Sequence, residues 1–179
     1  MTGSPEEIVR ELALSCGFDG VGFARAEPVE PETAAKVRDW VDKGRHASMS
    51  YMVEGLEKRL DPRLVLPGAQ TVIVLTVNYY RDNPTFELEA GKIARYAGGR
   101  DYHKVIGKRL RQFRALLEER FSGAAFWYSL DTDPVLERYW AQKAGLGWVG
   151  KNTNLLTQEY GSWVFLAVML ASLELKPDM

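Results

Sequence analysis

Hydrophobic positions recur at helical spacing in four stretches of the chain. A serine N-cap, a proline at the first helical position and a glutamate at the third predict the first helix over residues 4–17. Amphipathic patterns predict two more helices, over residues 31–43 and 101–121. Asp133-Pro134 has the residue types of a helix start and predicts a fourth helix that ends at Gly145.

Short apolar runs between these helices predict strands. The predicted strands are residues 20–24, 71–80, 92–97 and 124–129, with residues 155–157 and 162–173 paired as a hairpin. Residues 71–80 are β-branched and apolar almost throughout, which is typical of a central strand. Helices and hairpin-linked strands alternate irregularly. The sequence therefore predicts an α+β fold with a central, mostly antiparallel sheet flanked by helices.

Length, charge and composition restrict which kinds of protein and which kinds of site this chain can form. The length of 179 residues predicts one domain, and a net charge of −1 gives no overall attraction to nucleic acid. No apolar run has the length of a membrane span, so a cytoplasmic protein is expected. The chain has a single cysteine, Cys16. It therefore cannot form an internal disulfide, and it cannot by itself hold a cluster that needs several cysteine ligands. His46 and His103 lie far apart in sequence, so no metal site is predicted.

Asp131 is the strongest candidate for chemistry, because it stands where the predicted strand 124–129 stops. Asp133 has a structural explanation as a helix cap, whereas Asp131 has none. Asp131 is either a second acid in a turn or a general acid, held protonated in a water-poor cleft beside a cofactor.

A glycine-rich loop follows at residues 145–150. It comes after a predicted helix, whereas a dinucleotide-binding loop follows a strand and opens a helix, and the spacing of a P-loop is also absent. With Trp148 among small residues, the loop suits a broad, flat ligand that backbone amides contact. A purely structural turn explains the same spacing.

One segment concentrates basic residues. They are Arg95, Arg100, Lys104, Lys108, Arg109, Arg111 and Arg114. Four of them, at positions 100, 104, 108 and 111, share a helix face. That face is either a contact for RNA phosphates or an ordinary solvated surface.

Three separated segments together resemble the epoxyqueuosine reductases, which complete queuosine synthesis in tRNA. They read RYAGGRDYHK (95–104), LDTDPVLER (130–138) and AGLGWVGKN (144–152), and the similarity extends in order over essentially the whole chain. The resemblance implies a nitroreductase-like cobalamin-binding domain over residues 1–179. It also implies cobalamin-dependent reduction of epoxyqueuosine to queuosine in tRNA.

The resemblance assigns roles to particular residues. Asp131 matches the family's proton donor and would protonate the epoxide oxygen, which requires a cleft that desolvates its carboxyl group. Asp131, Arg59, Ala94, Asn152 and Leu155 match positions that contact cobalamin. The family uses no protein histidine as the lower ligand of cobalt, and this chain has no Asp-x-His-x-x-Gly segment.

Family members continue into a ferredoxin-like domain with iron–sulfur clusters, which here would begin after Met179. The chain is therefore expected to be a fragment of a longer enzyme, with clusters only in the missing domain and electrons arriving through it. The alternative is a natural short relative that must borrow a reductase. tRNA carrying epoxyqueuosine is the expected partner. A non-enzymatic corrinoid carrier and an RNA-binding module remain the alternatives.

Overall fold

The computed structural model describes residues 3–81 and 93–179. Its helices are α1 (Pro5–Ser15), α2 (Pro31–Asp42), α3 (Tyr51–Glu54), α4 (Leu56–Leu60), α5 (Tyr102–Arg120) and α6 (Glu137–Lys143). Its strands are β1 (Gly20–Arg25), β2 (Thr71–Asn78), β3 (Phe126–Ser129), β4 (Trp148–Val149), β5 (Leu155–Leu156) and β6 (Val164–Ala171). Short 3-10 helices form at Pro62–Leu64 and Arg95–Ala97.

Four strands form the main sheet in the order β1-β2-β6-β3, and every neighbouring pair is antiparallel. The predicted α+β class is confirmed, and β2 is a central strand as its apolar sequence predicts. No helix among residues 3–81 and 93–179 is long and apolar enough to cross a membrane.

The sheet separates two hydrophobic layers, and alternation along β2 shows the division. Ile73 and Leu75 face the layer that includes α1 and α5, whereas Val72 and Val74 face the layer that includes α6. All four side chains are fully buried. Because both faces of β2 are covered, its sequence is continuously apolar instead of alternating.

The first helix begins as its sequence predicts. Ser4 Oγ accepts a hydrogen bond from the Glu7 backbone N–H at 3.3 Å, and Glu7 Oε2 accepts one from the Ser4 N–H at 2.8 Å. This reciprocal pair satisfies two N–H groups that the helix itself cannot.

A glycine brings β1 and α6 into close contact. A Cβ at Gly22 would lie 2.3 Å from the carbonyl oxygen of Ala144, the residue that follows α6. Only glycine therefore lets this helix end approach the sheet so closely.

The predicted start of the fourth helix and the predicted strand 92–97 are wrong in the described residues. Asp133-Pro134 does not start a helix: α6 begins at Glu137, because a tight turn closes when the Val135 N–H donates to the Asp133 carbonyl at 2.8 Å. Residues 93–97 form no strand, since the Ala97 N–H bonds locally to the Ala94 carbonyl at 2.9 Å and closes a 3-10 turn. Lys92, the first residue of that predicted strand, lies outside the described residues.

The predicted hairpin of residues 155–157 with 162–173 is also wrong. β5 pairs with β4, and β6 pairs with β2 and β3. An isolated bridge between Thr157 and Gly161 closes the turn that follows β5. The reason is burial: β6 is apolar on both faces, so a central position in the main sheet buries more of it than a two-stranded hairpin would.

Candidate active site

Asp131 lies on a strained turn directly after β3. Its φ angle is 69°, in the left-handed region that non-glycine residues seldom adopt. The Thr132 N–H donates to the Leu130 carbonyl at 2.9 Å, which closes a three-residue turn around Asp131. The Asp131 side chain is 60% exposed. The described chain therefore presents this carboxyl group to solvent and does not itself supply the desolvating cleft expected from the sequence.

Two side chains from the first turn of α5 contact the Asp131 carboxyl group. Tyr102 Oη donates to Asp131 Oδ2 at 2.8 Å, and His103 Nε2 lies 3.3 Å from the same oxygen. The other ring nitrogen of His103, Nδ1, lies 3.2 Å from Asp101 Oδ1. The Tyr102 ring stacks on Phe165 with a centroid distance of 4.3 Å. A fixed hydroxyl donor and an imidazole thus converge on one carboxylate oxygen.

The pKa of Tyr102 explains which role its hydroxyl can take. Burial, and then the hydrogen bond to Asp131, raise the pKa of Tyr102 to about 12. The hydroxyl therefore stays protonated at neutral pH and acts as a hydrogen-bond donor that orients Asp131.

A buried arginine, Arg59, and a half-buried glutamate, Glu137, lie near the turn. Arg59 is 6% exposed, and its Nη1 donates to the Asp133 carbonyl at 3.1 Å. Burial raises the pKa of Glu137 to about 7; the charge of Asp131 also raises it, and Arg59 and Arg138 oppose the rise. Arg59 Nε and Glu137 Oε1 are buried without a hydrogen-bond partner in the described part of the chain.

The other predicted cofactor residues occupy different environments. Ala94 is exposed and precedes the 3-10 helix Arg95–Ala97, and Asn152 is exposed in the turn between β4 and β5. Leu155 is 3% exposed and packs in the core beside α6. Arg59 lies with the Asp131 turn, whereas no described hydrogen bond joins Ala94, Asn152 or Leu155 to Asp131. Their roles stay predictions.

The glycine-rich loop is a hairpin. A Cβ at Gly147 would lie 2.2 Å from the Leu156 carbonyl oxygen, so this glycine allows β4 and β5 to pack closely. The structural interpretation of the glycine spacing therefore holds. Trp148 is nonetheless 53% exposed on the same hairpin, so an apolar surface remains open.

A cavity of about 540 Å³ adjoins the site, and Tyr102 belongs to both. Arg95, Arg100 and Arg109 line it, together with Arg81. The predicted helix face of positions 100, 104, 108 and 111 is thus divided. Arg100 lines the cavity, whereas Lys104, Lys108 and Arg111 are exposed and do not line it.

Sequence reasoning missed the contacts of Tyr102 and His103 and the burial of Glu137. One signal was present for the first pair: both residues directly follow the capping Asp101 and sit on the first turn of a helix. Nothing in the sequence indicates that the Glu137 carboxyl group has a buried oxygen. Among residues 3–81 and 93–179, no cluster of three or more His, Cys, Asp or Glu side chains could hold a metal ion.

Comparisons with known proteins find similarity to the epoxyqueuosine reductases. A family model described as epoxyqueuosine reductase QueG, DUF1730, matches residues 59–132, a range that includes both Arg59 and Asp131. The epoxyqueuosine reductase of Cyclobacterium marinum is 44% identical over 96% of this chain and 56% of that protein. The chain thus spans about half the length of the curated relatives it matches.

Solved structures of epoxyqueuosine reductases are similar to this chain as well. The epoxyqueuosine reductase of Streptococcus thermophilus superposes with a TM-score of 0.89 at 26% identity, over 99% of this chain and 48% of that one. An epoxyqueuosine reductase bound to an epoxyqueuosine-modified tRNA-Tyr stem loop superposes with a TM-score of 0.79 at 27% identity. The match covers 97% of this chain and 47% of that one.

A more distant structure shares the fold alone. A reductive dehalogenase studied for B12-dependent dehalogenation gives a TM-score of 0.61 at 17% identity, over 99% of this chain and 21% of that one. This chain is thus similar, over nearly its whole length, to about half of an epoxyqueuosine reductase.

Proposed function

We propose that residues 1–179 form the cobalamin-binding catalytic domain of an enzyme that reduces epoxyqueuosine to queuosine in tRNA. The observation that carries this proposal is the Asp131 carboxyl group, set on a strained turn and contacted by Tyr102 and His103. The names of the relatives support the reaction, and the relative bound to an epoxyqueuosine-modified stem loop supports tRNA as the substrate.

The residues present fit cobalamin, a large macrocycle with amide side chains. Arg59 Nε and Glu137 Oε1 are a buried donor and a buried acceptor with unmet hydrogen-bonding capacity near Asp131, which suits amide groups. Trp148 offers exposed apolar surface for the ring. Arg59, Ala94, Asp131, Asn152 and Leu155 would hold the cofactor. When bound, cobalamin supplies a low-valent cobalt that delivers electrons to the substrate.

The reaction needs two protons and two electrons, because the epoxide oxygen leaves as water and a carbon–carbon double bond remains. Asp131 would give a proton to that oxygen, which makes it a leaving group. Tyr102 would keep the carboxyl group aimed, since its hydroxyl remains protonated at neutral pH.

His103 would return a proton to Asp131. Its Nε2 lies 3.3 Å from Asp131 Oδ2, and its side chain is 45% exposed, so it can exchange protons with solvent. Asp101 holds the opposite ring nitrogen and fixes the ring's direction. Bound cofactor and tRNA would then cover the exposed Asp131 carboxyl group and favour its neutral form.

Electrons would come from an iron–sulfur domain of the kind that the resemblance implies. A chemical reductant such as titanium(III) citrate can replace that domain, so the reaction can be tested on this chain itself. The chain is first titrated with cobalamin and followed by visible absorption. It is then incubated with reductant and epoxyqueuosine-containing tRNA, and the digested nucleosides are analysed by mass spectrometry.

We expect a changed corrinoid spectrum and a nucleoside lighter by one oxygen atom. Reactions without cobalamin or without reductant are the controls. An unchanged spectrum at saturating cobalamin contradicts the cofactor assignment. Corrinoid binding without queuosine formation favours the non-enzymatic carrier.

A further inference from the structure

Four arginines surround the cavity beside the Asp131 site. Arg81 follows β2, Arg95 and Arg100 flank the 3-10 turn, and Arg109 lies on α5. No carboxylate is among the described residues that line this cavity, and none of the four guanidinium groups forms an ion pair with a described Asp or Glu. Within residues 3–81 and 93–179, the cavity therefore concentrates positive charge without a matching carboxylate.

Two of these arginines are held in place by aromatic rings and backbone carbonyls, which do not neutralise their positive charge. The Arg95 guanidinium lies 4.6 Å from the Tyr80 ring centroid and 5.2 Å from that of Trp163. Arg95 Nη1 also donates to the Arg81 carbonyl at 2.7 Å. Arg109 Nη1 donates to the Gly17 carbonyl at 2.6 Å. Each keeps further N–H donors for a ligand.

The guanidinium groups of the remaining two, Arg81 and Arg100, have no hydrogen-bond acceptor among the described residues. Like charges that share a cavity repel one another, and an anion between them removes that cost. A guanidinium fork matches phosphate oxygens in geometry, and an arginine cannot lose its charge at accessible pH. Phosphate is therefore the anion that this set of donors fits best.

The rest of the lining favours a phosphate attached to a larger, partly apolar group. Tyr79, Tyr96, Tyr102 and Phe165 supply aromatic walls, and Asn78 supplies a polar side chain. The volume of about 540 Å³ lies within the range of small-molecule sites. A nucleotide combines a phosphate with a flat ring of suitable size.

We propose that this cavity binds the phosphate and ring of a nucleotide. The proposal rests on the function proposed above and makes it more specific. The nucleotide would come from one of two sources: a residue of the RNA strand, or the nucleotide that cobalamin carries. Tyr102 lines the cavity and donates to Asp131, so the bound nucleotide would be one side chain away from the acid.

The test compares two double variants with equal loss of charge. The cavity variant is Arg81→Gln with Arg100→Gln, and the control is Lys104→Gln with Lys108→Gln on the exposed part of α5. Three probes are titrated into each protein and the wild type: a short single-stranded RNA, cyanocobalamin, and cobinamide, which lacks the nucleotide. Circular dichroism verifies that both variants are folded.

The cavity variant should lose about tenfold in affinity for each guanidinium–phosphate contact removed. If the RNA supplies the phosphate, RNA affinity falls, the salt slope becomes shallower by about 0.7 per contact, and both corrinoids bind as before. If cobalamin supplies the phosphate, the affinity for cyanocobalamin falls and the affinity for cobinamide does not. Either result supports the site.

Unchanged affinity of the cavity variant for all three probes overturns the proposal, and so does an equal loss in the lysine control. Failure of the wild-type chain to bind any probe also overturns it. If the wild type binds RNA but neither corrinoid, the cofactor assignment above fails, and the RNA titration alone then decides the nucleotide site.

Discussion

The hydrogen bond between Tyr102 and Asp131 makes the geometry of the site measurable. Burial and this hydrogen bond hold the pKa of Tyr102 at about 12. Asp131→Asn keeps the size of the side chain but removes the negative charge that a Tyr102 phenolate would face. The pKa of Tyr102 should therefore fall in the variant. It should stay above the usual 10.0, because burial is the larger cause and does not change.

The size of the fall follows from the difference between charged and neutral acceptors. A hydrogen bond to a charged group contributes roughly 1 kcal/mol more than one to a neutral group. The Asp131 side chain is 60% exposed, so solvent screens part of that difference. Because one pKa unit corresponds to about 1.4 kcal/mol, we expect a fall of roughly half a unit to one unit.

The assay is a pH titration of carbon-13-labelled tyrosine rings by NMR, with Tyr102→Phe used to assign the signal. Circular dichroism sets the highest pH at which the chain is folded. Asp133→Asn is the matched control, since no described hydrogen bond joins its carboxylate to Tyr102, and it should leave the titration almost unchanged. A Tyr102 pKa equal in the wild type and in Asp131→Asn would mean that this hydrogen bond is absent in solution.

The remaining predictions concern stability. Burial raises the pKa of Glu137 from 4.5 to about 7, so the folded state binds this proton more tightly than the unfolded state. Stability should therefore fall as pH rises from about 4.5 to 7, by an amount on the order of 3 kcal/mol, and Glu137→Gln should abolish that part of the pH dependence of Tm. The exposed Glu54→Gln serves as its control, and an equal pH dependence in wild type and Glu137→Gln refutes the buried position. Gly22→Ala should cost about 1–3 kcal/mol in urea unfolding, because its Cβ would meet the Ala144 carbonyl at 2.3 Å. Gly98→Ala, where the nearest atom is 3.5 Å away, should be nearly neutral, and equal effects of the two substitutions would contradict the packing of β1 on α6.

Local signals in the sequence sufficed for the first helix and the central strand. The capping box at Ser4 and Glu7 depends on residues three apart, and the burial of β2 shows directly in its continuous apolar sequence. Asp131 could likewise be singled out, because it follows a strand and precedes any helical pattern. Each of these inferences needs only a few neighbouring residues.

Features that depend on distant contacts could not be predicted in the same way. The Asp131 carboxyl group meets Tyr102 and His103 only because β3 and the start of α5 come together in the fold. The Asp133-Pro134 pair looks like a helix start, but the Asp133 carbonyl is used by Val135 and Arg59 instead. Tertiary contacts thus override local propensity at the candidate site.

Turnover by the cobalamin-loaded chain tests the central claim most directly. With titanium(III) citrate and epoxyqueuosine-containing tRNA, Asp131→Asn should lower the rate of queuosine formation by roughly 100-fold or more, since the general acid is lost. Its corrinoid spectrum should remain that of the wild type, and Asp133→Asn should retain most of the rate. Queuosine formation by Asp131→Asn at the wild-type rate, with cobalamin bound, would remove Asp131 from the mechanism.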